Sequence, residues 1–78
     1  MTLSTAQWLA SFAAAVGAVP PTEEETELLL DLAGTAAHAA ERPAAPLTCW
    51  LAARAGVEPR EALAVAKRLA DEIAAQPR

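Results

Sequence analysis

Leu28-Leu29-Leu30-Asp31-Leu32-Ala33-Gly34-Thr35-Ala36-Ala37-His38-Ala39-Ala40-Glu41-Arg42-Pro43-Ala44-Ala45-Pro46-Leu47-Thr48 is the stretch whose periodicity decides the fold. Leu28, Leu29, Leu32, Ala36, Ala39 and Ala40 recur at helical intervals and predict one buried helix face. Leu30 and Ala37 fall on the opposite side. Proline disfavours helix at the residue before it, so Pro43 predicts an end near Glu41. Pro46 suits the first turn of the next helix. The stretch reads as helix, short Pro-bounded joint, helix.

Toward the N-terminus, Thr22 and Glu25 have the spacing of a capping box that opens this helix. Glu23, Glu24 and Glu25 complement the positive end of its dipole. Pro20-Pro21 forms a stiff joint before it. An earlier helix is predicted from Ser4, with Ser4 and Gln7 as a capping box and Leu3 and Trp8 as a hydrophobic staple. Trp8, Leu9, Phe12 and Val16 form its expected buried stripe, and Gly17 its stop.

Toward the C-terminus, Leu47, Trp50, Leu51 and Ala55 give the third helix its expected apolar stripe. Gly56-Val57 fits a Schellman ending with the glycine left-handed. Pro59 opens a fourth helix with Ala62, Leu63, Ala66, Leu69, Ala70 and Ile73 facing inward. Lys67–Asp71 and Arg68–Glu72 are expected as solvated i,i+4 pairs. The expected fold is all-α, a compact bundle of four short helices forming one domain over residues 1–78.

Alanine fills 22 of the 78 positions. It favours helix strongly but buries little area, so the core should be thin and a partner would stabilise it. The net charge of −4 argues against nucleic acid and against an anionic membrane surface, both of which require basic faces. A single cysteine excludes an internal disulfide and suits a reducing cytoplasm. The apolar run Trp8 to Val19 lacks the basic flank of a signal peptide, and no run reaches bilayer length.

Asp31, Thr35, His38 and Arg42 are spaced four, three and four residues apart. At about 100° per residue they form one strip beside the leucine face. The strip leads to the start of the third helix, where Thr48 adds a hydroxyl and free N–H groups attract anions. Three readings stand in order. His38 and Arg42 can bond the last carbonyls of their helix and favour its negative dipole end. After that structural role come a docking surface and, third, a small anion-binding one. His38 and Cys49 fall short of the roughly four ligands of a structural zinc site. A Cys49–His38 nucleophilic pair would need proximity and an orienting group. Cys49 reads as a small packing residue, and Trp8 and Trp50 as core anchors. Ser4 and Ser11 lack the Asp-Ser-Leu setting of an acyl carrier protein.

The segment His38-Ala-Ala-Glu41-Arg42-Pro43-Ala-Ala-Pro46-Leu47-Thr48, with the helices around it, resembles a small uncharacterised actinobacterial helical domain. That domain is found alone or at the C-terminus of molybdenum cofactor guanylyltransferases, and near molybdenum-enzyme genes such as those of formate dehydrogenases. The matching positions are His38, Arg42, Pro43, Pro46 and Thr48. The resemblance implies an association with molybdenum cofactor maturation or with the enzymes that receive the cofactor. It does not imply guanylyl transfer, because the glycine-rich nucleotide loop is missing from this sequence.

The leading expectation is a non-catalytic accessory or small-subunit module. It would dock on a molybdenum enzyme or a molybdenum cofactor guanylyltransferase through Asp31, Thr35, His38, Arg42 and Thr48. The alternatives are a domain binding a small anion, such as a pterin or nucleotide phosphate, and a self-associating helical protein. No catalytic residue, cofactor or metal is expected, and a homodimer is compatible with each reading.

Overall fold

In the computed structural model, which describes residues 2–77, the chain forms α1 (Thr5–Val16), α2 (Glu23–Ala39), α3 (Ala44–Arg54) and α4 (Pro59–Ala74). There is no strand among the described residues, as expected of an all-α fold.

Local chemistry sets the helix ends. Gln7 N–H donates to Ser4 Oγ at 3.1 Å, and Ser4 N–H donates to Gln7 Oε1 at 2.8 Å. Thr22 and Glu25 repeat this reciprocal box at 3.1 and 2.8 Å. Both boxes pair donors that a helix start otherwise leaves free. Gly17 and Gly56 close α1 and α3 at φ of 74° and 72°. Ala18 N–H reaches Ala13 O at 2.8 Å, and Val57 N–H reaches Ala52 O at 3.0 Å, the long bonds of two Schellman endings.

The core lies where α2 meets α3 and α4. Leu32, only 1% exposed, packs with Ala62 and Leu63 of α4, and Leu28, Leu29, Cys49, Ala52, Val57 and Ala66 surround them. The Arg60 guanidinium meets the Glu24 carboxylate at 2.9 Å, an exposed pair across the adjacent first turns of α2 and α4. Lys67, Arg68, Asp71 and Glu72 are exposed, but the i,i+4 pairs expected there do not form ion pairs.

Several expected faces are corrected. α2 ends at Ala39, two residues early, and Ala40 leaves helical geometry at φ −130° and ψ −98°. Ala39 and Ala40 are exposed, because α3 and α4 leave the last turn of α2 half open. On α3 the residues turned inward are Ala45, Thr48, Cys49 and Ala52, whereas Leu47, Trp50, Leu51 and Ala55 are exposed. The leucines of α2 already fill the space between the helices, so the facing side of α3 must be small. On α4, Ala62, Leu63, Ala66 and Ala70 turn inward as expected, but Leu69 and Ile73 are about half bare.

The stripe of α1 differs most. Trp8, Phe12 and Val16 are each more than half exposed, and Leu9 is half-buried. α1 has no packing comparable with that of α2 on α3 or α4. It leans over the start of α2 across a hollow of about 550 Å³, with Thr5, Ala6, Leu9 and Ala10 on one side and Glu23 and Thr26 on the other. Val19, 90% exposed, and Pro20-Pro21 hold the two helices apart.

Candidate functional site

The polar strip of α2 divides when it is folded. Thr35 donates its hydroxyl to the Asp31 carbonyl oxygen at 2.9 Å, one turn back along the helix. The Asp31 side chain is exposed. Thr35 and Thr48, both half-buried, line one groove of about 210 Å³. Its walls are apolar: Ala36 and Ala39 of α2, Ala44 of α3, and Leu69, Ala70 and Ile73 of α4.

His38 and Arg42 lie elsewhere, with Ala37, in a shallow open hollow of about 250 Å³. Both side chains are exposed, and among the described residues neither makes a hydrogen bond or ion pair. His38 does occupy the last turn of α2, the dipole position expected of it. Arg42 lies three residues beyond the helix end, in the turn before Pro43. Its direction follows from that turn and not from the 100° steps of α2. The structure therefore joins Thr35 to Thr48 and His38 to Arg42, and leaves Asp31 outside both hollows.

The start of α3 offers an anion little. Ala44 N–H already donates to Glu41 O at 2.9 Å, and Ala45 N–H to Arg42 O at 3.1 Å. Pro46 has no N–H. Thr48 is the fifth residue of the helix, beyond its first turn.

Cys49 faces α2, with its Sγ 3.9 Å from the Leu29 carbonyl oxygen. Burial pushes its thiol above the ordinary range, which opposes the nucleophilic thiolate. It lines a separate hollow with Leu29, Gly56 and Pro59, away from His38. Leu29 and His38 are about 13 Å apart along the helix axis. Cys49 and His38 thus do not form a nucleophilic pair. Among the described residues no three His, Cys, Asp or Glu side chains gather as a metal set. No helix there is long and apolar enough to cross a membrane.

Two aromatic features lie outside the strip. Trp8 and Phe12 stack at 6.0 Å on the open face of α1. The Arg54 guanidinium lies 4.9 Å from the centre of the Trp50 ring on the open face of α3. The signal available for α1 was its composition: no residue of Thr5–Val16 is charged, so no face of it was marked as wet.

The sequence profile of the family described as a domain of unknown function, DUF6457, matches residues 2–78, and the chain belongs to that family. No curated protein and no solved structure matches it.

Proposed function

We propose that the chain, as a member of the DUF6457 family, is a non-catalytic docking module that seats on another protein through the joint between α2 and α3. The observation that carries this reading is the groove at that joint. Its floor is apolar and open, with Leu69 and Ile73 half bare, and the Thr35 and Thr48 hydroxyls stand within it. His38 and Arg42 stand exposed in a separate hollow, at the end of α2 and in the turn that leads to α3. An apolar centre with polar groups around it is the anatomy of a protein interface, where arginine is enriched.

The partner in this reading is a molybdenum cofactor enzyme, such as a formate dehydrogenase, or the machinery that matures its cofactor. Support comes from the resemblance carried by His38, Arg42, Pro43, Pro46 and Thr48, the residues that form the joint or flank it. The single thiol accords with work in the reducing cytoplasm.

Affinity purification of the tagged chain from its own cells, followed by mass spectrometry, tests this. The wild type is expected to recover a molybdenum enzyme or a molybdenum cofactor guanylyltransferase. Recovery should fall at least about tenfold with His38→Ala/Arg42→Ala or with Ile73→Glu, since interface hot spots exceed 1.4 kcal/mol. Equal recovery by all variants moves the interface away from the joint. Absence of any such enzyme from the wild-type sample overturns the reading.

A further inference from the structure

We propose that α1 is a dimerisation arm, and that its bare apolar stripe is covered by the same stripe of a second copy of this chain. The inference is independent of the docking surface at the α2–α3 joint.

The first argument is area. A folded monomer of this mass, 8.1 kDa, exposes about 4,500 Å². This chain exposes 6268 Å². The surplus of roughly 1,800 Å² is the amount each subunit buries in an obligate homodimer, and about twice what a transient partner covers. The radius of gyration agrees: 14.2 Å, against about 11.5 Å for a compact domain of this length. α1 is the element least packed against the others, and Trp8, Phe12 and Val16, each more than half exposed, place part of the surplus on it.

The second argument is charge. The chain carries −4, and two copies repel each other wherever their acidic surfaces meet. Residues 2–22 contain no Asp, Glu, Lys, Arg or His. It is the longest stretch of the sequence on which a second copy meets no like charge, the next being residues 43–53. It also lacks the charged groups that fix the choice of a foreign partner.

The third argument is geometry. Trp8, Phe12 and Val16 are four residues apart and run about 12 Å along one face. Ala6 and Ala10 mark the side facing α2, with Leu9 at the edge it shares with Val16, so Trp8 and Phe12 stand farthest from that side. A twofold axis through Phe12 pairs two α1 helices antiparallel, with Phe12 against Phe12 of the second copy and Trp8 against Val16 of the second copy. Such an interface is self-complementary and closed. The Trp8–Phe12 stack is already formed in the single chain, so less side-chain freedom is lost on pairing.

Sedimentation equilibrium of the whole chain tests the proposal. The expected mass is twice 8.1 kDa. Phe12→Glu should weaken the dimer at least about 30-fold while helix content is kept, because Phe12 is half exposed in the single chain. In a Cys49→Ser background, Phe12→Cys should form a disulfide-linked dimer under mild oxidant much faster than Ser11→Cys. That comparison decides the matter if Phe12→Glu loses helix. A wild-type mass of one chain at every concentration assigns the stripe to some other occupant and overturns the proposal. So does a Phe12→Glu dimer as tight as wild type, or equal cross-linking at positions 11 and 12.

Discussion

The Cys49 thiol points at the backbone carbonyl of Leu29 from 3.9 Å, so α3 meets α2 through a small side chain set against main chain. Thr48 and Ala52 continue that inward side along α3. The bulk in this contact comes from the leucines of α2, and the closeness from α3. Enlarging Cys49 to Leu would push the helices apart and should destabilise the domain by about 1–3 kcal/mol, read by urea denaturation.

The same contact gives stability a pH dependence. Burial holds the Cys49 thiol above its ordinary value in the folded chain. The unfolded chain therefore loses this proton first as pH rises, which favours unfolding. The contribution of Cys49 is fully present below the ordinary thiol value, about 8.5, and is lost as pH climbs from there through the raised one. Denaturation midpoints should fall across that window, and Cys49→Ser should flatten the fall. An identical slope in the variant would remove Cys49 as its cause.

Leu32 is the centre of a core that has little else. Leu32→Ala should cost about 2–5 kcal/mol. A chain of this length has a stability of about 4–12 kcal/mol, so the variant loses a large share of it and its thermal midpoint should fall by at least about 8 °C. Ala33→Ser, one residue along and half-buried, is the control expected to keep the thermal transition near that of wild type.

Features that depend on near neighbours in sequence were legible before the structure. The boxes at Ser4–Gln7 and Thr22–Glu25 close over three residues, and Gly17 and Gly56 act within one turn. Faces set by other helices were legible in part. The α2 leucines were placed correctly because the most hydrophobic face of a central helix must be buried. The α3 face was misread because bulk was taken as the sign of burial, whereas its neighbour had already supplied the bulk. The α1 stripe was found, but a stripe does not say what covers it. In the candidate site the order of Asp31, Thr35, His38 and Arg42 along one strip was visible in the sequence. Its division was not, because it follows from α2 ending at Ala39 and from the turn at Pro43.

The glycines separate two physical roles. Gly34 lies inside α2, and a Cβ built there meets nothing within 4 Å. Gly34→Ala should therefore stabilise the domain by about 0.5–1 kcal/mol, through lower chain entropy in the unfolded state. Gly17 and Gly56 also have open space around them, but their φ values are positive. Alanine there should cost about 1–2 kcal/mol. Thermal unfolding of the three variants should order them with Gly34→Ala above wild type and Gly56→Ala below it.

The two capping boxes have the same geometry but serve helices of different standing, and hydrogen exchange should tell them apart. Thr22→Ala removes a cap from α2, on which both α3 and α4 pack. Its loss of about 1 kcal/mol should appear as faster exchange at every core amide that opens by global unfolding. Ser4→Ala removes the matching cap from α1, whose one buried residue, Ala13, lies outside the Leu32 cluster. In the isolated single chain its effect should stay within α1, with faster exchange in the first turns of that helix and an unchanged global transition. Equal slowing or quickening of core exchange by the two variants would mean that α1 folds as part of the same cooperative unit as α2, α3 and α4.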